Sequence, residues 1–382
     1  MANDDPEPSG YLLLDAGDGR QLARFGSLIV DRPYPAAIHP IADPAAWAAA
    51  DLRYERPSFG GAGEWIAVAN EVPDAWTMRY AGVTFELRAT ASGQVGFFGE
   101  QVDLWRWVGD AIHDLGGPGT PPPAVDGTAP AAPPPSGELP PAADSPAPPA
   151  DPPPTGELPP AAPLPSPASP PSGELPPAAD PPAPAADPPA PVAPPPTVLN
   201  LFAYTGGSTL AAALSGAAVT HVDASRSAVA WARRNAALSG LADAPIRWIV
   251  DDALAFVGRE ARRGRRYDGI VLDPPSYGHG PNGERWTIDQ HLPTLLDACL
   301  SVAAEPGFVL LTAHAEGMRP QDAEDALCEA FIRAGRRRDA GRVEGGALEL
   351  RAESGVSAPA GVYARWRSAP PPGARPANQD RS

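Results

Sequence analysis

From Val198 onward the chain alternates short apolar runs with helical segments, and this alternation limits the fold more than any other feature of the sequence. VLNLFA is followed by STLAAALSGA, VTHVDA by SAVAWARRNAALSG, and IRWIV by ALAFVGREARR. YDGIVLD then precedes HLPTLLDACLSVA, and FVLLTAHA precedes PQDAEDALCEAFIRAG. Strands separated by helices predict a doubly wound, mostly parallel, Rossmann-like α/β sheet. GALELRAE and GVYARWR close it as a hairpin. Such sheets bind ligands at the carboxyl ends of their strands, near the point where strand order reverses.

The residues at that edge are suited to a nucleoside. Tyr204-Thr205-Gly206-Gly207 follows the first strand, where glycines let backbone approach a ligand closely. Asp223 ends the second strand, positioned to accept hydrogen bonds from ribose hydroxyls, and Asp252 follows the third, positioned for an adenine amino group. Asp273 ends the fourth and opens DPPSYGHG. Singly, Asp252 reads equally as a helix cap and Asp223 as a turn residue; together the acids point to the nucleoside. A dinucleotide would require G-x-G-x-x-G to seat a pyrophosphate on the helix N-terminus, and AYTGGSTL lacks that spacing. A cofactor without phosphate, S-adenosylmethionine, fits better. The consecutive prolines fix an extended backbone that presents Asp273 and the Pro274 carbonyl to a planar group, with Tyr277 near enough to stack on it.

Composition separates this block from the rest. Of 54 prolines, 34 fall between Pro118 and Pro196, a stretch with eight acids, no basic residue and no aromatic one. It cannot bury enough apolar surface to offset the entropy of ordering, so 118–196 is expected to be a disordered Pro/Ala-rich spacer. Three imperfect copies of PPSGELPPAAD recur within it. A docking tail for a Pro-binding partner is the other reading of those repeats; an expanded spacer is favoured, and no partner is assigned. Residues 1–117 hold 17 acids and 8 arginines, whereas 197–382 hold 21 of each. All 29 basic residues are arginine. Bulk charge therefore gives no support to nucleic-acid binding, which usually shows a basic face. Cys299 and Cys328 have no metal-ligand spacing, so no metal is expected. The opening MANDDPEPSG lacks the basic and apolar parts of a signal peptide, and no apolar run reaches membrane-spanning length. The expected location is cytoplasmic, away from any membrane.

Residues 1–117 read as a small β-rich accessory domain. YLLLDAGDGRQLARF predicts a hairpin about Asp18-Gly19, and WTMRYAGVTFELRATASGQVGFF predicts further strands. EQVDLWRWVGDAIHDL has the spacing of an amphipathic helix. GQVGFFGEQ, just before that helix, pairs glycines with aromatics that suit either a ligand pocket or a core. The catalytic domain is expected at 197–368, with a disordered tail at 369–382.

NLFAYTGG, VDAS, DDALAF and YDGIVLDPPSY together resemble class I S-adenosylmethionine-dependent methyltransferases. The resemblance is closest to the bacterial family that includes large-subunit ribosomal RNA methyltransferases acting on cytosine C5 and guanine N7. It covers residues 198–315, with GFFGEQ as a weaker extension. It implies that Phe202, Tyr204, Thr205 and Gly206 contact the methionine part, that Asp223 holds the ribose and Asp252 the adenine, and that Asp273 lies where cofactor meets acceptor. It also implies an RNA substrate, ribosomal RNA favoured. The chain departs from the family in three respects. Neither DPPSYGHG nor LLTAHAEGM contains the cysteine with which C5 members attack the base, so covalent C5 chemistry is not expected. Ser276 separates Pro-Pro from Tyr277, unlike the usual amino-group enzymes. Glu100-Gln101-Val102 stands where the family often has Asp-Gln-Arg.

Asp273, Pro274 and Tyr277 are thus the expected catalytic residues, for direct transfer to a ring or exocyclic nitrogen. Methyl transfer to a protein or small molecule, or a non-catalytic partner role for the cofactor fold, are the alternatives. REARRGRR and RAGRRR read either as phosphate contacts or as solvated helix faces. His279 and His314 at the active edge read as a general base, a stacking partner or a structural histidine, and Trp286 as a stacking residue or a cover.

Overall fold

In the computed structural model, which describes residues 10–56, 63–68, 72–118, 194–279, 285–336 and 341–368, the turn expected at Asp18-Gly19 forms. Both residues take positive φ, 50° and 75°, which matches the right-handed twist of the flanking strands. β1 (Tyr11–Gly17) pairs with β2 (Arg20–Phe25), and β3 (Leu28–Pro33) adds to it antiparallel. After the single-turn α1 (Pro44–Trp47), β4 (Leu52–Glu55) and β5 (Glu64–Ala67) complete a five-stranded sheet in sequence order. A separate ribbon of β6 (Trp76–Tyr80) and β7 (Val83–Leu87) turns at Ala81-Gly82, and α2 (Val102–Asp114) follows. Most of the expected spacer and all of the expected tail lie outside the described residues.

The alternation after Val198 becomes β8 (Thr197–Leu201), α3 (Gly207–Leu214), β9 (Ala218–Asp223), α4 (Arg226–Leu238), β10 (Ile246–Val250), α5 (Ala253–Arg262) and β11 (Tyr267–Leu272). A small hairpin, β12 (Tyr277–His279) and β13 (Arg285–Thr287), precedes α6 (Ile288–Val302), β14 (Ala303–Ala313) and α7 (Pro320–Arg333). β15 (Gly341–Arg351) and β16 (Ser357–Ser368) form the closing hairpin. The seven-stranded sheet runs β10-β9-β8-β11-β14-β16-β15, with β16 antiparallel to both neighbours and the other six strands running the same way.

Side chains alternate between the two faces of these strands. Leu199, Ile270 and Val309 bury against α5, α6 and α7, whose Phe256, Leu295, Leu296 and Leu327 complete that core. Their neighbours Val198, Val271 and Leu310 face the other way, onto Leu104, Val108 and Ile112 of α2 and Ala212 of α3. The N-terminal block extends this second layer: Phe85, Phe97 and Trp105 share a cluster with Leu210, Ala211 and Ala236. The described residues up to 118 and from 194 onward accordingly group as one compact unit.

Polar contacts fix the docking. Trp231 of α4 donates its indole N–H to the Glu86 carbonyl at 2.8 Å, and Asn235 Oδ1 accepts from the Glu86 N–H at 2.8 Å. Asp15, 0% exposed on β1, accepts from the backbone N–H groups of Ala42 and Asp43, the indole of Trp47 and the hydroxyl of Ser354 in the β15–β16 turn. Burial opposes its charge, yet these donors hold its carboxyl below the usual range. Among the described residues no helix is long and apolar enough to cross a membrane.

Trp105 lies against the first residue of α3, where a Cβ added to Gly207 would stand 2.4 Å from Trp105 Cζ2. Gly207→Ala is therefore expected to destabilise the chain by about 1–3 kcal/mol through overpacking, read from urea unfolding. Helix preference alone favours alanine, so a more stable variant would refute this account of how the blocks join.

Candidate functional site

The loop leaving β8 carries the site. Phe202 and Tyr204 take φ of 56° and 45°, a left-handed conformation that costs a bulky residue on the order of 1–3 kcal/mol. Several bonds hold it there. The Ala203 N–H donates to the Val222 carbonyl at 3.2 Å, and the Tyr204 N–H to Asp223 Oδ2 at 2.8 Å. The Thr205 hydroxyl donates to the Gly96 carbonyl at 2.8 Å, while Asn235 Nδ2 donates to the Thr205 carbonyl at 2.9 Å. Gly206, at φ 90°, then turns the chain into α3.

Beside this loop opens a cleft. Asn200, Phe202 to Thr205, Gly207, Ser208 and Asp273 form its wall from the α/β block, and Gly96, Phe97, Phe98, Gln101 and Trp105 form the other. The Tyr204 ring sits 5.7 Å from Phe98 and 6.1 Å from Trp231, between centroids. The GFFGEQ segment thus supplies pocket and core at once: Phe98 and Gln101 line the cleft, while Phe97, also at its edge, packs on Phe25, Phe85 and Trp105.

Among the residues expected at the site, Phe202, Tyr204, Thr205 and Asp273 come together in the cleft. The Thr205 hydroxyl donates to Gly96 and its carbonyl accepts from Asn235, so both are already engaged in holding the loop. Asp223 stands one hydrogen bond behind Tyr204, its Oδ1 accepting from the Ser225 N–H at 2.8 Å, and burial raises its pKa. Gly206, Asp252, Pro274 and Tyr277 do not line the cleft. Asp252 caps α5, Oδ1 accepting from the Ala255 N–H at 2.8 Å. Pro274 is buried just after β11, and Tyr277 opens the β12–β13 hairpin at 54% exposure, 5.4 Å beneath the Arg285 guanidinium. Trp286 packs on Phe202 and His291 and donates to the Pro275 carbonyl at 2.7 Å.

Two polar groupings went unread in the sequence. Asn200 Nδ2 donates to Thr209 Oγ1 at 2.8 Å, and that oxygen lies 2.9 Å from His221 Nδ1. His221 is 0% exposed, its Nε2 has no partner, and burial, helped by Arg233, pushes its pKa down to about 3. The second grouping surrounds Asp273. Oδ1 accepts from the Thr312 hydroxyl at 2.6 Å and lies 3.2 Å from His314 Nε2, while Gln101 Nε2 is 3.4 Å from Oδ2. His314 Nδ1 lies 2.7 Å from the Ala360 carbonyl. Burial works against a charged imidazole, but the Asp273 hydrogen bond and charge, with Glu100 and Ala360, hold its pKa up at about 9. Burial also raises the pKa of Glu100, against the opposing pull of His314 and Arg32. Neither cysteine lines the cleft; Cys299 is buried in α6, its thiol pushed up to about 12.

No family model matches the chain. Ribosomal RNA large subunit methyltransferase K/L of Shewanella frigidimarina is 32% identical over 117 residues, 30% of this chain and 16% of that protein. Ribosomal RNA large subunit methyltransferase I of Klebsiella pneumoniae is 32% identical over 150 residues, 36% of this chain and 35% of that protein. The chain thus spans well under half the length of the curated relatives it matches. The solved structure of a SAM-dependent methyltransferase from Agrobacterium tumefaciens is 29% identical and superposes with a TM-score of 0.67, covering 94% of this chain and 90% of its own. The fold is that of the class I S-adenosylmethionine-dependent methyltransferases. The resemblance read from NLFAYTGG and DPPSY therefore holds at the level of the fold, and the N-terminal block belongs to the shared architecture.

Within this methyltransferase fold His221 sets an acid limit on stability. Its folded pKa of about 3 lies below the ordinary 6.5, so the native chain stays neutral where the unfolded chain binds a proton. The stability so conferred is complete above 6.5 and drains away as pH falls towards 3, by about 1.4 kcal/mol per pH unit. Between pH 7 and pH 5, His221→Phe should lose about 2 kcal/mol less than the parent, measured by urea unfolding at both values. Equal losses would mean that His221 is not held neutral.

Proposed function

We propose that this chain is an S-adenosylmethionine-dependent methyltransferase acting on a base of RNA, with ribosomal RNA favoured and a ring or exocyclic nitrogen as the acceptor atom. The observation that carries the reading is the cleft at the end of β8, with the Phe202–Ser208 loop on one side and the Asp273 carboxylate beside it. The relatives named as ribosomal RNA methyltransferases support RNA over other acceptors. With no cysteine at the cleft, a covalent adduct to cytosine C6 has no thiolate to form it.

The donor set suits the cofactor. The N-terminus of α3 at Gly207 and Ser208 offers backbone N–H groups and the positive end of a helix to a carboxylate. Asp223 would hold the ribose hydroxyls and Asp252 the adenine, each already fixed by backbone donors. When bound, S-adenosylmethionine supplies a methyl group already activated on a sulfonium. The chain's own task is then to position and dry the acceptor. Asp273 and the Pro274 carbonyl accept hydrogen bonds from an acceptor N–H, and Tyr277 offers a face to the base. Stacking of that kind contributes on the order of 1–3 kcal/mol in single-strand recognition. The N-terminal block acts as an accessory wall to the cleft. A cytoplasmic location follows from an RNA substrate.

The test is methyl transfer from labelled S-adenosylmethionine to ribosomal RNA and intact subunits from a strain lacking this gene, followed by nucleoside analysis. Labelled guanosine or adenosine is expected, and Asp273→Ala should lose at least about 100-fold of the rate. Labelled 5-methylcytidine would overturn the nitrogen assignment. Binding of S-adenosylhomocysteine with no RNA labelled would redirect the reading to a protein or small-molecule acceptor.

A further inference from the structure

The contacts of His314 decide its protonation. A backbone carbonyl can only accept, so Nδ1, 2.7 Å from the Ala360 oxygen, carries a hydrogen. Nε2 lies 3.2 Å from Asp273 Oδ1 and 3.4 Å from the Gln101 amide nitrogen; a carboxylate accepts, so the shorter contact places a second hydrogen on Nε2. A ring with N–H on both nitrogens is a cation and has no lone pair for a substrate proton. This removes His314 from the candidates for a general base. The approach from β16 is also specific: Gly361 takes φ 134°, and a Cβ there would stand 2.8 Å from His314 Nδ1.

We propose that His314 is a positioning residue for the acceptor side of the cleft, an imidazolium clamped between the Ala360 carbonyl and Asp273 that fixes one carboxylate oxygen and leaves the other to meet the acceptor. The proposal rests on the methyltransferase reading of the cleft and adds the residue that sets its carboxylate. Oδ1 is taken by two donors, the imidazole and the Thr312 hydroxyl at 2.6 Å. Oδ2 meets only the long 3.4 Å approach of the Gln101 amide, and Asp273 lines the cleft. A carboxylate pinned through one oxygen keeps a single orientation for the other, which is what near-attack geometry demands.

The charged and titratable groups around the ring come from three elements. Asp273 faces it from the end of β11 and Glu100 from the turn before α2, with Arg32 of β3 acting on Glu100 from behind. β16 contributes the Ala360 carbonyl and no charged group to the contact. Two acids about one imidazole favour its cationic form, and its pKa of about 9 agrees with the geometry. Methyl transfer should therefore fail on the alkaline side when the clamp loses its proton, independently of the acceptor nitrogen.

Selective 15N-histidine labelling of the full chain tests the clamp without an acceptor. His314 should show two protonated nitrogens at pH 7.5 and titrate near 9, and Asp273→Asn should bring its titration back towards the ordinary value of about 6.5. In the labelled-RNA assay, His314→Gln should lower kcat by about 10- to 100-fold with the cofactor KM within about threefold. It should also lack the fall in rate above pH 9 seen in the parent. A parent ring that titrates near 6.5 or lacks the Nδ1 proton overturns the proposal, as does a His314→Gln enzyme with the parent's rate and alkaline limb. A parent that shows the clamp by NMR but methylates no RNA sinks the acceptor reading alone.

Discussion

Everything at the site depends on the reversal of strand order at β8. That strand pairs in parallel with β9 on one side and β11 on the other, and right-handed crossovers then send the connecting helices to opposite faces. α3 and α4 leave towards one layer, α5 and α6 towards the other, and no connection crosses the top of β8 itself. The loop that emerges there must turn sharply to enter α3, which explains why two aromatic residues adopt left-handed backbone in succession around Ala203. The strain is tolerable because the surroundings overdetermine it. Asp223, Val222, Gly96 and Asn235 each hold a different atom of the loop.

Three polar groupings radiate from that reversal, and they differ in what they leave open. Asp223 has both oxygens on backbone donors, a rigid acceptor at the end of β9. Asn200 leans on a buried threonine and histidine whose far nitrogen has no partner, so this chain carries the cost of an unpaired buried group. Asp273 has one saturated oxygen and one facing the cleft. Stiff supports behind the cleft and unsatisfied acceptors within it are what binding without large reorganisation requires.

The alternation that predicted the sheet was legible because its central strands β8, β9, β11 and the second half of β14 are buried on both faces, so they read as unbroken apolar runs between helices. The sequence also located the loop, the acids and the GFFGEQ wall. It could not separate Asp252 the cap from Asp252 the ligand, since a capping carboxylate uses one oxygen and leaves no mark on spacing. It missed the β12–β13 hairpin, only three residues a strand, and β4 and β5, only four residues each. Thr312 and His314 were visible at a strand end, but their partners Asp273 and Ala360 are about 40 residues away on neighbouring strands. Gly361 explains itself only once that histidine is seen above it. The common cause is contact across the sheet, which periodicity along one strand does not encode.

The two ends of the segment between residues 118 and 194 have a consequence of their own. α2 and α3 both begin at the cleft, with Gln101, Trp105 and Gly207, and both finish at the opposite edge of the sheet. There Gly117 lies against the Ser215 carbonyl, and three residues later the Ala218 N–H donates to Pro196 at 2.9 Å. A loop whose ends are already neighbours loses little on closing, and each doubling of its length adds only about 0.6 kcal/mol. Expansion by repeat duplication at this position is therefore nearly neutral for folding and remote from the cleft. The join between α2 and β8 is a place where evolution can write long passages of sequence without touching the cleft.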